Sequence, residues 1–163
     1  MSITNIFFRF TIAISFFSIS IALIAEPTLE EVVVSARKVD ESVQDVPIAM
    51  SVFTSSDIED AGIERPEDFI ALTPNVVMAN TVNVGDTLVT IRGLTSTRDA
   101  ESNFAFVVDG VLQTNPNAFN RELLDIAQIE VLKGPQGALY GRNATSGAIL
   151  ITTKAPSEES EST

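Results

Sequence analysis

Short apolar runs separated by polar turns follow one another through most of the chain, and their β-branched and apolar residues predict strands. The predicted strands are Val46–Thr54, Asn75–Met78, Thr87–Arg92, Phe104–Val108, Val111–Gln113, Ile129–Leu132 and Ala148–Thr152. The dipeptide Asp109-Gly110 favours the positive backbone angles of a two-residue turn, so it predicts a hairpin and gives Asp109 a structural role. Glycine adopts backbone angles that other residues avoid, so a tight turn is predicted between the last two strands. Its glycines are Gly134, Gly137, Gly141 and Gly147.

Short helices are predicted between some of these strands. The segment Ser56–Glu59 has the capping-box pattern that begins a helix, and that helix ends at Gly62. Pro66 is suited to the first position of a second helix, Pro66–Leu72, and Arg121–Ala127 is predicted to form a helical turn. The apolar residues of the second helix that would pack on the sheet are Phe69, Ile70 and Leu72. Strands and helices without regular alternation predict an α+β fold, a compact mixed β-sheet with short flanking helices.

The two ends of the chain differ from this central body. Residues 1–25 are predicted to be an export signal, because Arg9 supplies a positive charge and an apolar run follows it as far as Ala25. A membrane anchor is the alternative, but the run is shorter than the ~20 apolar residues that a spanning helix prefers. Residues 26–45 are assigned to an extended segment and a polar linker, 46–156 to the folded body, and 157–163 to a disordered acidic tail.

Composition excludes several classes of function. The formal net charge of −12 gives a surface that repels phosphate backbones, so nucleic acid is not a predicted partner. The chain has no cysteine and no histidine, and it therefore lacks disulfides and the commonest general base and metal ligand. Its acidic residues have no metal-ligand spacing, and its glycines do not spell a phosphate-binding loop. Neither enzyme activity nor a metal site nor a cofactor is predicted.

The segment Gln128–Lys154, QIEVLKGPQGALYGRNATSGAILITTK, closely resembles the end of the plug domain of TonB-dependent outer-membrane receptors. That family carries a phrase of the form IEVLRGP…LYG…GGxIxxxTK; Lys133 stands where arginine is commoner, and Ser146-Gly147 replaces Gly-Gly. Further family phrases follow in order: VPIAMSVFTSSDIEDAGI, LTPNV, IRG and FVVDGV. The resemblance covers about Leu29 to Pro156 and implies the plug fold, a compact mixed sheet with short flanking helices.

A segment near the start of the mature chain resembles a TonB box. It is a β-branched run with polar flanks, which can add itself as a strand to an exposed sheet edge; a buried core strand is the alternative. The resemblance implies that this segment binds TonB, which acts with its inner-membrane motor complex. Its residues are Leu29, Glu30, Glu31, Val32, Val33, Val34, Ser35 and Ala36.

The resemblance also implies contacts with a barrel and with a ligand. In the family, the arginine of IRG and the basic residue of VLRGP face carboxylates on the inner barrel wall; the matching residues are Arg92 and Lys133. The alternative is that both are strand-end cations in water or paired with Glu130. Family ligands contact loops of the plug. The corresponding loops here equally suit ordinary solvation; they are Ala79–Asp86, Thr95–Asn103 and Asn115–Asn120. Their candidate ligand-contacting residues are Asn80, Asn83, Asp86, Arg98, Asn103, Asn115 and Asn117.

Two functional hypotheses follow. The first is the gating plug of an outer-membrane receptor for a siderophore-iron complex or a similar scarce nutrient, present here without its β-barrel. Family barrels have about 22 strands and need several hundred residues, so we expect that this chain alone is not the pore. The second is a stand-alone periplasmic plug-like module that binds TonB or a small ligand. A small eight-stranded barrel does not fit, because the central region carries capped helices and Pro/Gly loops.

Overall fold

The structure of the protein is a computed structural model that describes residues 31–80, 87–96, 102–115 and 118–156. All of these residues belong to one unit, Glu31–Thr163. The predicted export signal, the first two residues of the predicted TonB box and the acidic tail lie outside the described residues. No helix within the described ranges is long and apolar enough to cross a membrane.

Ten strands and three short helices form within the described ranges. The strands are β1 (Val33–Val34), β2 (Glu41–Ser42), β3 (Met50–Thr54), β4 (Val76–Asn80), β5 (Thr87–Ile91), β6 (Leu94–Thr95), β7 (Phe104–Val108), β8 (Val111–Leu112), β9 (Ile126–Lys133) and β10 (Gly147–Thr153). The helices are α1 (Ser55–Ala61), α2 (Pro66–Ala71) and α3 (Gly137–Tyr140). This is the predicted α+β fold, with a central mixed sheet and few short helices.

A five-stranded sheet in the order β3-β9-β10-β7-β8 forms the centre of the fold. β10 pairs antiparallel with β9 and parallel with β7, and the predicted hairpin joins β7 to β8. Asp109 and Gly110 take the positive φ angles of the turn, 47° and 78°. The Asp109 carboxylate accepts hydrogen bonds from the backbone N–H and the hydroxyl of Thr153. Asp109 therefore joins the hairpin to the end of β10, which is a structural role.

One face of this sheet packs against both longer helices and the small sheet β4-β5-β6. The β9 and β10 residues that enter this first core cluster are Ile129, Val131, Ile149 and Ile151. Phe119 lies among them, with its ring 5.0–6.3 Å from the rings of Phe69, Phe104 and Phe106, in edge-to-face contacts. Phe119 belongs to a segment predicted as a solvated loop, but its side chain is buried.

The opposite face of the sheet is covered by residues 32–46. β1 and β2 form a small antiparallel hairpin, and Val34, Ala36 and Val46 are buried against the sheet. The β9 and β10 side chains of this second cluster are Leu132, Ala148 and Leu150. Residues 37–45, predicted as a polar linker, thus contain β2 because the sheet offers them an apolar surface. Val46, the predicted first residue of the next strand, is buried, but that strand, β3, begins only at Met50.

Several local predictions differ from the structure. The capping box of α1 is formed by Thr54 and Asp57, two residues before the predicted pair, because Thr54 has the extended backbone that an N-cap requires. Gly62 ends α1 and Pro66 begins α2, as predicted. Leu72, which was predicted to pack on the sheet, follows the last residue of α2 and is exposed.

The helical turn predicted over residues 121–127 is wrong. Asp125 has a φ of 52°, which ends any right-handed helix, and Ile126 already belongs to β9. Leu123 donates its backbone N–H to the carbonyl of Glu64 in the loop before α2. The contact with Glu64 and the pairing of β9 therefore override the local preference of this segment for a helix.

Gly147→Ala is expected to destabilise the protein. An added Cβ would collide with the Leu132 carbonyl oxygen and lie 3.1 Å from the Ile91 Cδ1 atom. Overpacking of this kind costs about 1–3 kcal/mol of unfolding free energy, measurable by urea denaturation. Gly137→Ala is the matched control, because its Cβ meets nothing within 4 Å and lies in α3. Equal denaturation midpoints for the two variants would contradict the close approach at Gly147.

Candidate functional site

Residues 31–36 are the described part of the predicted TonB box, which we also call the docking segment. They lie on the sheet face that carries the second core cluster. Val34 and Ala36 are 1% and 0% exposed, whereas Val33 is 49% exposed. This alternation is that of a strand with one buried side, and Val34 pairs with Glu41 across the hairpin. The segment is therefore ordered against the body of the domain and presents Val33 outward.

The two edges of β1 have different partners. The Val32 carbonyl accepts a hydrogen bond from the Val43 N–H, so the edge that carries residues 32 and 34 faces β2. Backbone groups alternate in direction along a strand, and residues 33 and 35 therefore direct theirs to the opposite edge. We call this the outer edge of β1. It is the edge to which an added strand would bind.

Side chains of the body bind the backbone of this segment directly. Gln128 Nε2 donates to the Val33 carbonyl at 3.0 Å, and Glu130 Oε1 accepts from the Ser35 N–H at 3.0 Å. The Tyr140 hydroxyl donates to the Ala36 carbonyl at 2.8 Å. Gln128 and Glu130 belong to β9, and Tyr140 ends α3. Three side chains that are distant in sequence thus bind backbone groups of Val33, Ser35 and Ala36.

Glu130 is the unusual member of this group. It is 2% exposed and lies opposite Val52 of β3 and Leu150 of β10 within an otherwise apolar layer. Burial raises the pKa of Glu130, the Ser35 hydrogen bonds oppose that shift, and the charge of Asp40 adds to it. Its Oε2 atom is buried without a hydrogen-bond partner. Within the described part of the chain, its carboxylate accepts hydrogen bonds from the N–H and the hydroxyl of Ser35, both through Oε1.

Tyr140 and the turn between β1 and β2 also lie beside residues 33–36. Burial, with a smaller effect of Glu130, raises the pKa of Tyr140 to about 12, so the phenol remains a hydrogen-bond donor at neutral pH. Lys38 Nζ lies 5.7 Å from the centre of the Tyr140 ring, a cation–π distance. A cavity of about 510 Å³ opens beside these residues, bounded also by Asp40 and Thr152.

Arg92 and Lys133 lie together at another place in the fold. Lys133 Nζ donates to Ser51 Oγ at 3.0 Å, and partial burial and the charge of Arg92 lower the Lys133 pKa. Arg92 is exposed and has a φ of 51°, and its guanidinium lies next to Gly134. No carboxylate in the described part of the chain forms an ion pair with either cation. The alternative pairing with Glu130 is wrong, because Glu130 lies on the opposite face of β9.

The predicted ligand-contacting residues are only partly described. Asn83, Asp86, Arg98 and Asn117 lie outside the described residues, as does the side chain of Asn80. Asn103 is half-buried; its Oδ1 accepts from Ser96 Oγ and Ser146 Oγ, and its Nδ2 donates to the Leu94 carbonyl. The carbonyl of Asn115 accepts from the N–H of Ala118. Asn103 therefore uses its side-chain amide to join three segments of the fold.

Sequence reasoning did not assign Gln128, Glu130 and Tyr140 to the docking segment. A signal existed for Glu130 alone, because it interrupts an apolar strand between Ile129 and Val131. A charged residue at a strand centre indicates a specific partner. Its identity could not be obtained from the sequence, since Ser35 is 95 residues away along the chain.

Glu130→Gln is expected to change how stability depends on pH. Since the folded-state pKa of Glu130 is raised above 4.5, the folded protein binds more protons than the unfolded chain just above that pH. The stabilising contribution is complete below the unfolded-state pKa and is lost as the pH rises through the folded-state pKa. Urea unfolding across this window should give wild type a steeper fall in stability than Glu130→Gln.

The control for this measurement is Glu122→Gln, which neutralises an exposed carboxylate on the surface. The change of slope caused by Glu130→Gln should exceed the change caused by this control. Identical slopes for wild type and Glu130→Gln would contradict the raised pKa.

Comparison with known proteins places this geometry in a family. The TonB-dependent receptor plug domain matches residues 42–148, more than half of the chain. The pesticin receptor of Yersinia enterocolitica is 30% identical over 132 residues, which cover 80% of this chain and 19% of the relative. A vitamin B12 transporter, BtuB of Vibrio vulnificus, is 32% identical over 139 residues, or 81% of this chain and 22% of the relative.

Solved structures agree. The ferric yersiniabactin uptake receptor FyuA of Yersinia pestis superposes with a TM-score of 0.62 at 30% identity, over 67% of this chain and 17% of that one. The chain spans about a fifth of the length of the two curated relatives named above. The matched residues contain Glu130, both cations (Arg92 and Lys133), and four strands of the central sheet, β3, β7, β8 and β9, and they end within β10. This chain belongs to the family of TonB-dependent receptor plug domains.

Proposed function

We propose that this chain is the gating region of an outer-membrane receptor that takes up a scarce nutrient, such as a siderophore-iron complex, with energy supplied through TonB. The observation that carries this proposal is β1, which precedes the matched plug residues, pairs with β2 on one edge and meets the side chains of Gln128 and Glu130 on its outer edge. A strand edge of this kind suits strand addition by a partner protein. The relatives named above are receptors or transporters for different ligands, which supports uptake without selecting the ligand.

In this proposal TonB binds residues Leu29–Ala36 and pulls on them with its inner-membrane motor complex. The layout of the domain favours stepwise opening. β1 and β2 pair over only two residues each, whereas β9 is paired along most of its length on both sides. Force applied at Val33 would therefore act first on residues 33–46 and only later on the central sheet.

Arg92 and Lys133 are proposed to face carboxylates on the inner wall of a surrounding barrel of about 22 strands. Neither cation has an ion-pair partner in the described part of the chain, and partial burial together with a smaller repulsion by Arg92 lowers the Lys133 pKa. An opposing carboxylate would remove that cost. Arginine could form the bidentate contact, while lysine would act as a point charge.

The loops 79–86, 95–103 and 115–120 are proposed to contact the nutrient. Their asparagine, aspartate and arginine side chains suit hydrogen bonding to a polar chelate. Because uptake needs a barrel, residues 31–156 of this chain would replace the plug of the Yersinia enterocolitica pesticin receptor. Alanine substitution of Asn83 and Asp86 together in that chimaera, with uptake of a ferric siderophore as the readout, tests this. Unchanged uptake and affinity would remove these loops from the site.

Val33→Pro is expected to abolish binding of the TonB C-terminal domain. Proline removes the amide donor at position 33 and fixes its backbone angle. The Val33 N–H lies on the outer edge, so the substitution removes no hydrogen bond of the β1–β2 hairpin. A pull-down or titration with purified TonB C-terminal domain measures the loss.

Val33→Ala is the matched control, because it shortens the same half-exposed side chain and keeps the amide. It should retain most of the binding. Equal affinity of the proline and alanine variants would show that residues 29–36 do not add as a strand. Cell fractionation separates the remaining alternative, a periplasmic module, from an outer-membrane receptor.

Charge reversal of both cations tests the barrel contact. The plug of the Yersinia enterocolitica pesticin receptor would be replaced by residues 31–156 of this chain, and Arg92→Glu and Lys133→Glu would then be introduced together. Repulsion from wall carboxylates should loosen the plug, and cells should become more sensitive to a large antibiotic that the outer membrane normally excludes. Arg121→Glu, at an exposed residue, is the control. Equal sensitivity of the two chimaeras would refute the contact.

A further inference from the structure

We propose that the cavity beside Tyr140 binds a small zwitterionic molecule that carries an apolar group. This is the chemistry of a free apolar α-amino acid, and a lipid with an ethanolamine phosphate headgroup shares it. The cavity has a volume of about 510 Å³, within the range of roughly 300–1,000 Å³ that is typical of small-molecule sites. None of its described lining residues belongs to the loops 79–86, 95–103 or 115–120. The site is therefore separate from the proposed nutrient contacts.

The cavity lies where the second face of the central sheet is incompletely covered. It is lined by the turn between β1 and β2, by α3, and by β7, β8 and β10. Val107 and Leu150 of its lining belong to the second core cluster and are 4% and 7% exposed. Leu139 is half-buried, and Leu112 is 40% exposed. The apolar group of a ligand that packs on these side chains removes apolar surface from water, which favours binding.

Two opposite charges also line the cavity, and they belong to Lys38 and Asp40. Across the described ranges, neither side chain forms an ion pair. An unpaired cation and an unpaired anion beside one apolar surface complement a molecule that carries both charges next to an apolar group. The buried Glu130 carboxylate, whose charge contributes to the raised pKa of Tyr140, disfavours a ligand that is only anionic.

The turn holds Lys38 in place at the cavity. Its backbone has a φ of 60°, and its N–H donates to the Ser35 carbonyl at 2.8 Å. Its Nζ atom lies 5.7 Å from the centre of the Tyr140 ring, and the Tyr140 hydroxyl donates to the Ala36 carbonyl. This arrangement reduces the side-chain freedom that is lost on binding. We assign the anionic group of the ligand to Lys38 and its ammonium to Asp40.

The test titrates the whole isotope-labelled chain with L-phenylalanine and follows its backbone amide signals by NMR. Three analogues each lack one feature: N-acetyl-L-phenylalanine lacks the ammonium, L-phenylalaninamide lacks the carboxylate, and glycine lacks the apolar group. Dihexanoyl phosphatidylethanolamine, kept monomeric, supplies the lipid form of the same chemistry. The amides of Lys38, Leu112 and Thr152 report on the cavity. The amide of Val89, in the first core cluster, reports on the rest of the fold.

We expect L-phenylalanine to bind with a dissociation constant of about 1 mM or tighter, as suits a ligand of roughly a dozen non-hydrogen atoms. Each analogue that lacks one charge should bind about threefold to fivefold more weakly, and glycine should bind more weakly still. Lys38→Gln should remove the preference for L-phenylalanine over its amide. Asp40→Asn should remove the preference for L-phenylalanine over the N-acetyl analogue.

Lys154→Gln is the matched control, because Lys154 pairs with Glu59 and does not line the cavity. It should keep both preferences. Lys38 and Asp40 are exposed, so we expect both substitutions to leave the fold intact. An unchanged Val89 signal in each variant checks this.

The two probes distinguish the sources of the ligand. Binding of L-phenylalanine alone supports a free amino acid, binding of the lipid alone supports a headgroup, and binding of both supports the shared chemistry. The site is refuted when neither probe shifts the Lys38, Leu112 and Thr152 signals, with L-phenylalanine raised to about 20 mM. It is also refuted when the two single-charge analogues bind as well as L-phenylalanine, or when Lys38→Gln and Asp40→Asn keep both preferences. TonB and the nutrient are absent from this titration, so failure of the proposed function would not change its outcome.

Discussion

The antiparallel pairing of β9 with β10 is the interaction on which the rest of the described structure depends. Each of the two strands is paired on both sides, and together they supply side chains to both core clusters. Side chains alternate across a strand, so Val131 enters one cluster while Leu132 enters the other. The absence of a side chain at Gly147 allows the two backbones to approach at the start of this pairing. Losing the pairing would expose both clusters at once.

The two faces of the sheet are covered by different kinds of structure. The first is covered by two helices, a small sheet and a group of aromatic rings around Phe119, which pack densely through side chains. The second is covered by residues 32–46, whose strands are two residues long. Free energies of local opening depend on how much apolar surface and how many backbone hydrogen bonds are lost. The second face is therefore the one that opens at lower cost.

Local chemistry made much of the fold predictable, and long-range contact set the remainder. Asp109-Gly110 and Pro66 determine their own turn and helix start through backbone angles, so the sequence predicts both. The conformation of residues 121–127 does not follow from their local sequence. Asp125 adopts a left-handed backbone conformation immediately before β9 begins. The docking of Ser35 on Glu130 joins residues 95 positions apart, and no pattern within either segment specifies the other.

A polar contact is needed at the docked segment because apolar burial alone does not set its register. Val32, Val33 and Val34 are identical side chains, so a slip by one residue would bury Val33 in place of Val34 with little change in apolar area. Backbone groups do not tolerate this slip. Moving the segment by one residue would turn the Ser35 N–H away from Glu130 and leave a buried carboxylate without its donor. The hydrogen bond between Ser35 and the buried carboxylate thus determines which valine is buried and which is exposed.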